Sequence, residues 1–210
     1  MYTEHEVAYK DVILKAFKNE GKLFKFNADS YIEFEFRKLD YVYLITKGCV
    51  KQYFIGNGGN LKTLLLLSEG DLFGEVTMIQ QDFDRVITET MEYTEVIKIT
   101  KERFFYILDK NPDTYYYIMV MLTSKIRKMM DQIHDTSFFD TKDKLICLFN
   151  RLAVQQGIKT EEGIKINIKL THQEIADMIS CTRSTATKKI CELQEEGYIK
   201  IINRCIYVLK

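Results

Sequence analysis

The sequence predicts an α+β fold: an antiparallel β-roll, one long helix, then a small C-terminal domain of short helices closed by a hairpin. Three observations predict it. Between Lys22 and about Thr100, short β-rich runs alternate with glycine-bearing turns, the spacing of an antiparallel roll or barrel. From Asn111 to about Asp135, apolar residues recur at helical intervals. After Asp140, two short helical patterns joined by a tight turn precede two strand-like runs. The domains expected are residues 1–110, 111–137 and 138–210.

Composition limits what such a chain does. Of its 210 residues 46% are hydrophobic, enough for two small domains with cores of their own. The longest apolar runs, such as Leu64 to Leu67, are strand-sized, far short of the roughly 20 residues that span a bilayer. The start, Met1-Tyr2-Thr3-Glu4-His5-Glu6, has neither the basic nor the apolar region of a secretory signal. A cytoplasmic location without a membrane partner is therefore expected. Net charge is zero overall, but from Asp140 onward 12 Lys/Arg stand against 9 Asp/Glu, an excess of 3. That is the sign a nucleic-acid-binding domain carries. The five cysteines (Cys49, Cys147, Cys181, Cys191, Cys205) are scattered with no CxxC pair, which argues against disulfides, a zinc site or an iron–sulfur cluster. Small buried hydrophobes is the role expected of them. The chain lacks a P-loop, GxSxG and HExxH, and its three histidines are isolated, so no enzyme is expected.

Taken in order, Val7 to Asn19 reads as a short amphipathic helix. Tyr31–Phe36, Tyr41–Thr46, Val50–Ile55, Leu61–Leu67 and Glu95–Ile99 read as strands, punctuated at Lys47-Gly48, Gly56–Asn60 and Glu69-Gly70-Asp71. Asn111 is expected to cap the long helix, with Pro112 at its first position. Along that helix Tyr115, Met119, Leu122, Ile126, Met129 and Ile133 follow a 4-3-4-3-4 spacing, the seam of a coiled coil. This predicts a homodimer, the alternative being a helix that packs only on its own domain. A second helix is expected over Thr141–Gln156, and a strand over Ile164–Leu170.

The most informative stretch follows. Thr171-His172-Gln173-Glu174 has the residues of a capping box, followed by apolar Ile175, Met178 and Ile179. That helix should stop at Ser180-Cys181, and Thr182 should cap another that ends at Gly197. Two short helices about a tight turn make a helix-turn-helix, whose second helix enters the major groove of DNA. Arg183, Ser184, Thr187 and Lys188 share one face of that helix, with Ala186 and Ile190 opposite. Tyr198–Ile202 and Cys205–Leu209, separated by Asn203-Arg204, read as a two-residue hairpin, the wing. The DNA-contacting set expected is Thr171, Thr182, Arg183, Ser184, Thr187, Lys188, Lys189 and Arg204.

The run Leu170 to Ile190 resembles the DNA-binding motif of the Crp/Fnr superfamily of bacterial transcription regulators. The resemblance extends over nearly the whole chain: roll, glycine-rich turns, Gly74-Glu75, long helix and winged helix. It implies a cyclic-nucleotide-binding-like jelly roll as effector domain, and RNA polymerase as a partner. Where the family pattern has Arg-Glu-Thr-Val-Gly-Arg, this chain has Arg183-Ser184-Thr185-Ala186-Thr187-Lys188. The match implies that Arg183 grips a guanine with both arms of its guanidinium. Lys188 keeps the charge of the second arginine but not its fork, and Ser184 replaces the glutamate. The operator implied is a near-palindrome of double-stranded DNA with half-sites about 34 Å apart.

The resemblance also implies an effector pocket. In cAMP-responsive members a Gly-Glu pair holds the ribose and an arginine ten residues later holds the phosphate; this chain has Gly74-Glu75 and Arg85. It departs from them at Val86-Ile87, where a hydroxyl donor is lost, and at Met129-Met130, which stand where the adenine is met. The β-branched stretch Val76–Gln80 is a poor helix former. cAMP, another small effector, or control without one all remain open. No haem is expected, since Cys49 lacks a histidine near it in sequence; a redox switch through Cys147, Cys181, Cys191 or Cys205 stays open, with Cys181 at the turn the one to test. A second reading keeps the fold but makes the chain a regulatory cyclic-nucleotide-type module whose winged helix binds protein.

Overall fold

The computed structural model describes residues 13–33, 40–82 and 86–209. They fall into two compact units, one up to Lys128 except Gly56–Lys62, the other made of Gly56–Lys62 and the residues from Met129 on.

In the first unit, α1 (residues 13–18) is the described part of the helix expected over Val7–Asn19. The strands are β1 (Lys22–Phe26), β2 (Tyr31–Glu33), β3 (Tyr41–Lys47), β4 (Cys49–Ile55), β5 (Leu61–Ser68) and β6 (Leu72–Phe73). After α2 (Glu75–Gln80) come β7 (Ile87–Thr90) and β8 (Thr94–Thr100). They form two four-stranded sheets ordered β1-β8-β3-β6 and β2-β7-β4-β5. The rest of the strand expected over Tyr31–Phe36 lies outside the described residues.

Strand β3 explains how helices attach to the roll. Alternate residues of a strand face opposite sides, yet Val42, Tyr43, Leu44 and Ile45 are all buried. Tyr43 and Ile45 belong to a core with Val50, Leu67, Phe73 and Val96. Val42 and Leu44 belong to a second core that includes Phe17, Phe104, Ile107, Tyr117 and Met121. These come from α1, α3 (Lys101–Lys110) and α4 (Asp113–Phe138).

Three expectations are corrected here. The long helix begins at Asp113, and Asn111 instead closes α3, its N–H donating to Ile107 O at 3.0 Å. Thr100 caps α3, accepting from Arg103 N at 3.3 Å, and its buried Phe104, Ile107 and Leu108 keep helical spacing. The stretch around Val76 does form a helix, because Gly74 takes a left-handed φ of 86° and Met78 is fully buried, so tertiary packing overrides propensity. Finally, Leu122 packs partly against the roll's own core.

The second unit contains α5 (Thr141–Gln156), β9 (Gly157–Thr160), β10 (Gly163–Ile166), α6 (His172–Ile179), α7 (Arg183–Glu195), β11 (Ile199–Ile202) and β12 (Cys205–Val208). Its sheet runs β11-β12-β10-β9. Strand β10 is shorter than the expected Ile164–Leu170 and gains an unexpected partner in β9. Leu145, Phe149, Ile175, Ala176, Ala186, Ile190 and Leu193 are buried in this unit.

Candidate functional site

Both helices of the C-terminal pair are capped from within. Thr171 Oγ1 accepts from Glu174 N at 3.2 Å, and Glu174 Oε2 accepts from Thr171 N at 2.8 Å, a complete capping box. Ser180, in the left-handed region at φ 57°, ends α6. Two residues later Thr182 Oγ1 accepts from Thr185 N at 3.2 Å and starts α7. Thr171 and Thr182 therefore use their hydroxyls on backbone donors. Ser184 is engaged as well, 2.9 Å from Thr182 Oγ1.

On α7, Ala186 and Ile190 are fully buried, while Arg183, Ser184 and Lys188 are exposed. Lys189 is half-buried and bonds Glu192 Oε2 on its own helix at 2.7 Å. Thr187 is half-buried, with its Oγ1 at 2.8 Å from His172 Nδ1 on α6. Sequence reasoning did not single out His172. In the wing, Asn203 and Arg204 both take positive φ (51° and 64°), as a two-residue turn of the hairpin-favouring hand requires. Arg204 is exposed there.

The cysteines depart from the expectation of small buried hydrophobes: Cys49 is buried, Cys191 is exposed and the others lie between. Burial pushes the Cys181 thiol up from its ordinary value, which disfavours the reactive thiolate. Among the described residues no three His, Cys, Asp or Glu side chains converge as a metal-holding group.

In the roll, Gly74 and Glu75 open α2, and the Glu75 side chain is 2% exposed. Its partner is Lys125 of α4. The ammonium donates to Glu75 Oε1 at 2.6 Å and to Leu72 O at 2.6 Å. The second carboxylate oxygen, Glu75 Oε2, is buried and has no hydrogen-bond partner among the described residues. A buried carboxylate oxygen is an acceptor for a hydroxyl or amide donor. Sequence reasoning missed Lys125, although a signal existed. It lies on the face of α4 that carries Tyr117, Ile118 and Met121 into the core, where a lysine is out of place unless paired. Arg85 lies outside the described residues. Val86 is half-buried, and Met129 and Met130 are 37% and 63% exposed. Five of the six expected seam residues are exposed on α4: Tyr115, Met119, Ile126, Met129 and Ile133, between 37% and 66%.

Two family models match the chain: a cyclic nucleotide-binding domain over residues 23–111 and a Crp-like helix-turn-helix domain over residues 144–210. The global nitrogen regulator of Synechocystis is 28% identical over 169 residues, 80% of this chain and 75% of that protein. The cAMP-activated global transcriptional regulator of Pasteurella multocida is 24% identical over 200 residues, 94% of this chain and 95% of that protein. Among solved structures, the c-di-GMP-responsive global regulator of Xanthomonas campestris superposes with a TM-score of 0.81. It is 17% identical, with 95% of this chain and 99% of that one covered. These matches give no support to the reading in which the winged helix binds protein. No helix among the described residues is long and apolar enough to cross a membrane.

Proposed function

Because the chain belongs to the Crp/Fnr superfamily of DNA-binding transcription regulators, we propose that it works as a homodimer that reads a near-palindromic operator through α7 and is gated by a small effector in the roll. The observation that carries the reading of DNA is the exposure of the first two turns of α7. Arg183 and Lys188 stand in water while Ala186 and Ile190 are buried, and Arg183 opens a helix capped by Thr182. Arg183 reads a guanine, while Lys188 and the wing's Arg204 meet base or phosphate. Thr171, Thr182 and Ser184 serve chiefly to hold the helices' first turns. Lys189 reaches DNA only by leaving Glu192.

The dimer reading is supported by the exposed stripe of Tyr115, Met119, Ile126, Met129 and Ile133 on α4. Two such stripes packed together remove that apolar surface from water. The effector reading is supported by Glu75 Oε2, an acceptor already desolvated. Lys125 holds Oε1 and leaves Oε2 to a ligand hydroxyl. An effector then acts by favouring one arrangement of the dimer over another. cAMP is one candidate and RNA polymerase the expected downstream partner.

The test is selection of operators from a randomised duplex pool, followed by binding with Arg183→Ala. The substitution should cost about 1–3 kcal/mol at the selected site and relax one base position. Unchanged affinity and preference would remove Arg183 from the interface.

A further inference from the structure

The bond between His172 and Thr187 joins the two helices of the DNA-reading pair, fifteen residues apart in sequence, at 2.8 Å. Side-chain hydrogen bonds such as those of Thr171 with Glu174, Gln173 with Asp177, Thr182 with Ser184 and Lys189 with Glu192 are local, joining residues two to four apart on the same helix or its cap. This one is not. His172 is the first residue of α6, directly after the capping Thr171, and Thr187 is four residues on from Arg183. Both side chains are half-buried, so their bond is partly shielded from competing water.

We propose that His172 is a positioning residue for sequence readout: it fixes the rotamer of Thr187 and decides which hydrogen bond the Thr187 hydroxyl offers to a base. This rests on the reading of Thr187 as a groove-facing residue. A threonine hydroxyl has one proton and two lone pairs. If Nδ1 accepts, that proton is spent on the imidazole, and Thr187 presents lone pairs and its methyl group. Those suit the amino groups of adenine or cytosine and the methyl of thymine. If Nδ1 carries a proton and donates it, the hydroxyl proton is free for guanine O6 or N7, or thymine O4. Without His172, the hydroxyl rotates and answers to either pattern. The imidazole therefore supplies selectivity at one base pair and touches no base to do so.

Three variants of the full chain test this on the operator pool. His172→Phe keeps a ring but removes the nitrogen, and Thr187→Val removes the hydroxyl. Each should lower discrimination at the same single base pair about five- to tenfold, and His172→Phe, whose ring touches no base, should leave affinity for non-operator DNA within about twofold. The double variant should lose no more than either single one, because the two groups act as one. His172→Asn places an amide atom where Nδ1 stood and should restore most of the discrimination, which loss of fold would not permit. Thermal unfolding of each variant checks that the fold is kept. If Thr187→Val leaves every base preference unchanged, Thr187 is not at the interface and the premise fails. If Thr187→Val shifts a preference but His172→Phe does not, the interface stands and the positioning role is overturned. A uniform loss of affinity on all DNA with His172→Phe, unrelieved by His172→Asn, would also overturn it and make His172 a structural or phosphate-contacting group.

Discussion

The helix pair of the C-terminal unit and the ion pair of the roll both satisfy polar groups, but over very different lengths of chain. Thr171 is answered by Glu174, and Thr182 by Thr185, each three residues away. Lys125 is answered by Glu75 from 50 residues away, and the Tyr117 hydroxyl by Gly70 O from 47. A cap forms with the first turn of its own helix and costs little more than the rotamer it fixes. The roll's pair forms only when α4 is docked, and both charges then leave water. One arrangement tolerates damage locally; the other concentrates it.

The sharpest way to break this contrast is Lys125→Met. It leaves the Glu75 carboxylate buried without its counter-charge and should cost about 3–5 kcal/mol of stability in denaturant unfolding. Adding Glu75→Gln should recover most of that loss, since no charge is then stranded. A single-variant loss below about 1 kcal/mol would mean that the pair is not desolvated. The exposed face of α4 should respond next. Ile126→Asp places a charge in the proposed seam and should weaken self-association about a hundredfold, seen as a shift to monomer in sedimentation with the fold retained. The same substitution without any change in mass would return this stripe to the alternative of a helix serving only its own domain. Smallest should be Thr182→Ala, which removes one cap and should cost about 1 kcal/mol, read as a modest drop in unfolding midpoint. A loss as large as that of Lys125→Met would show that the caps are not merely local.

The same difference governs what could be read before the fold was known. Helix α5 falls on Thr141–Gln156 as expected, since Asp140 caps it and its apolar positions repeat. The capping box at Thr171 and the wing turn at Asn203-Arg204 were legible because their chemistry is written within four residues. Helix α3 carries an equally plain signal in Phe104, Ile107 and Leu108, but the Asn111-Pro112 break beside it points forward to the helix that begins at Asp113 and hides the end of α3. Strands β6, of two residues, and β7, of four, are too short to carry a recognisable period.

By itself, then, the sequence determined the order of roll, long helix and winged helix, the caps of α6 and α7, and the face of α7 that stays in water. All of these depend on neighbours within a turn or on alternation along one strand. Tertiary structure alone decided that Glu75 is held by Lys125 with one oxygen left over, that α2 forms despite its β-branched residues, and that His172 meets Thr187. Each depends on packing between elements far apart in sequence, where desolvation and distance, rather than propensity, set the outcome.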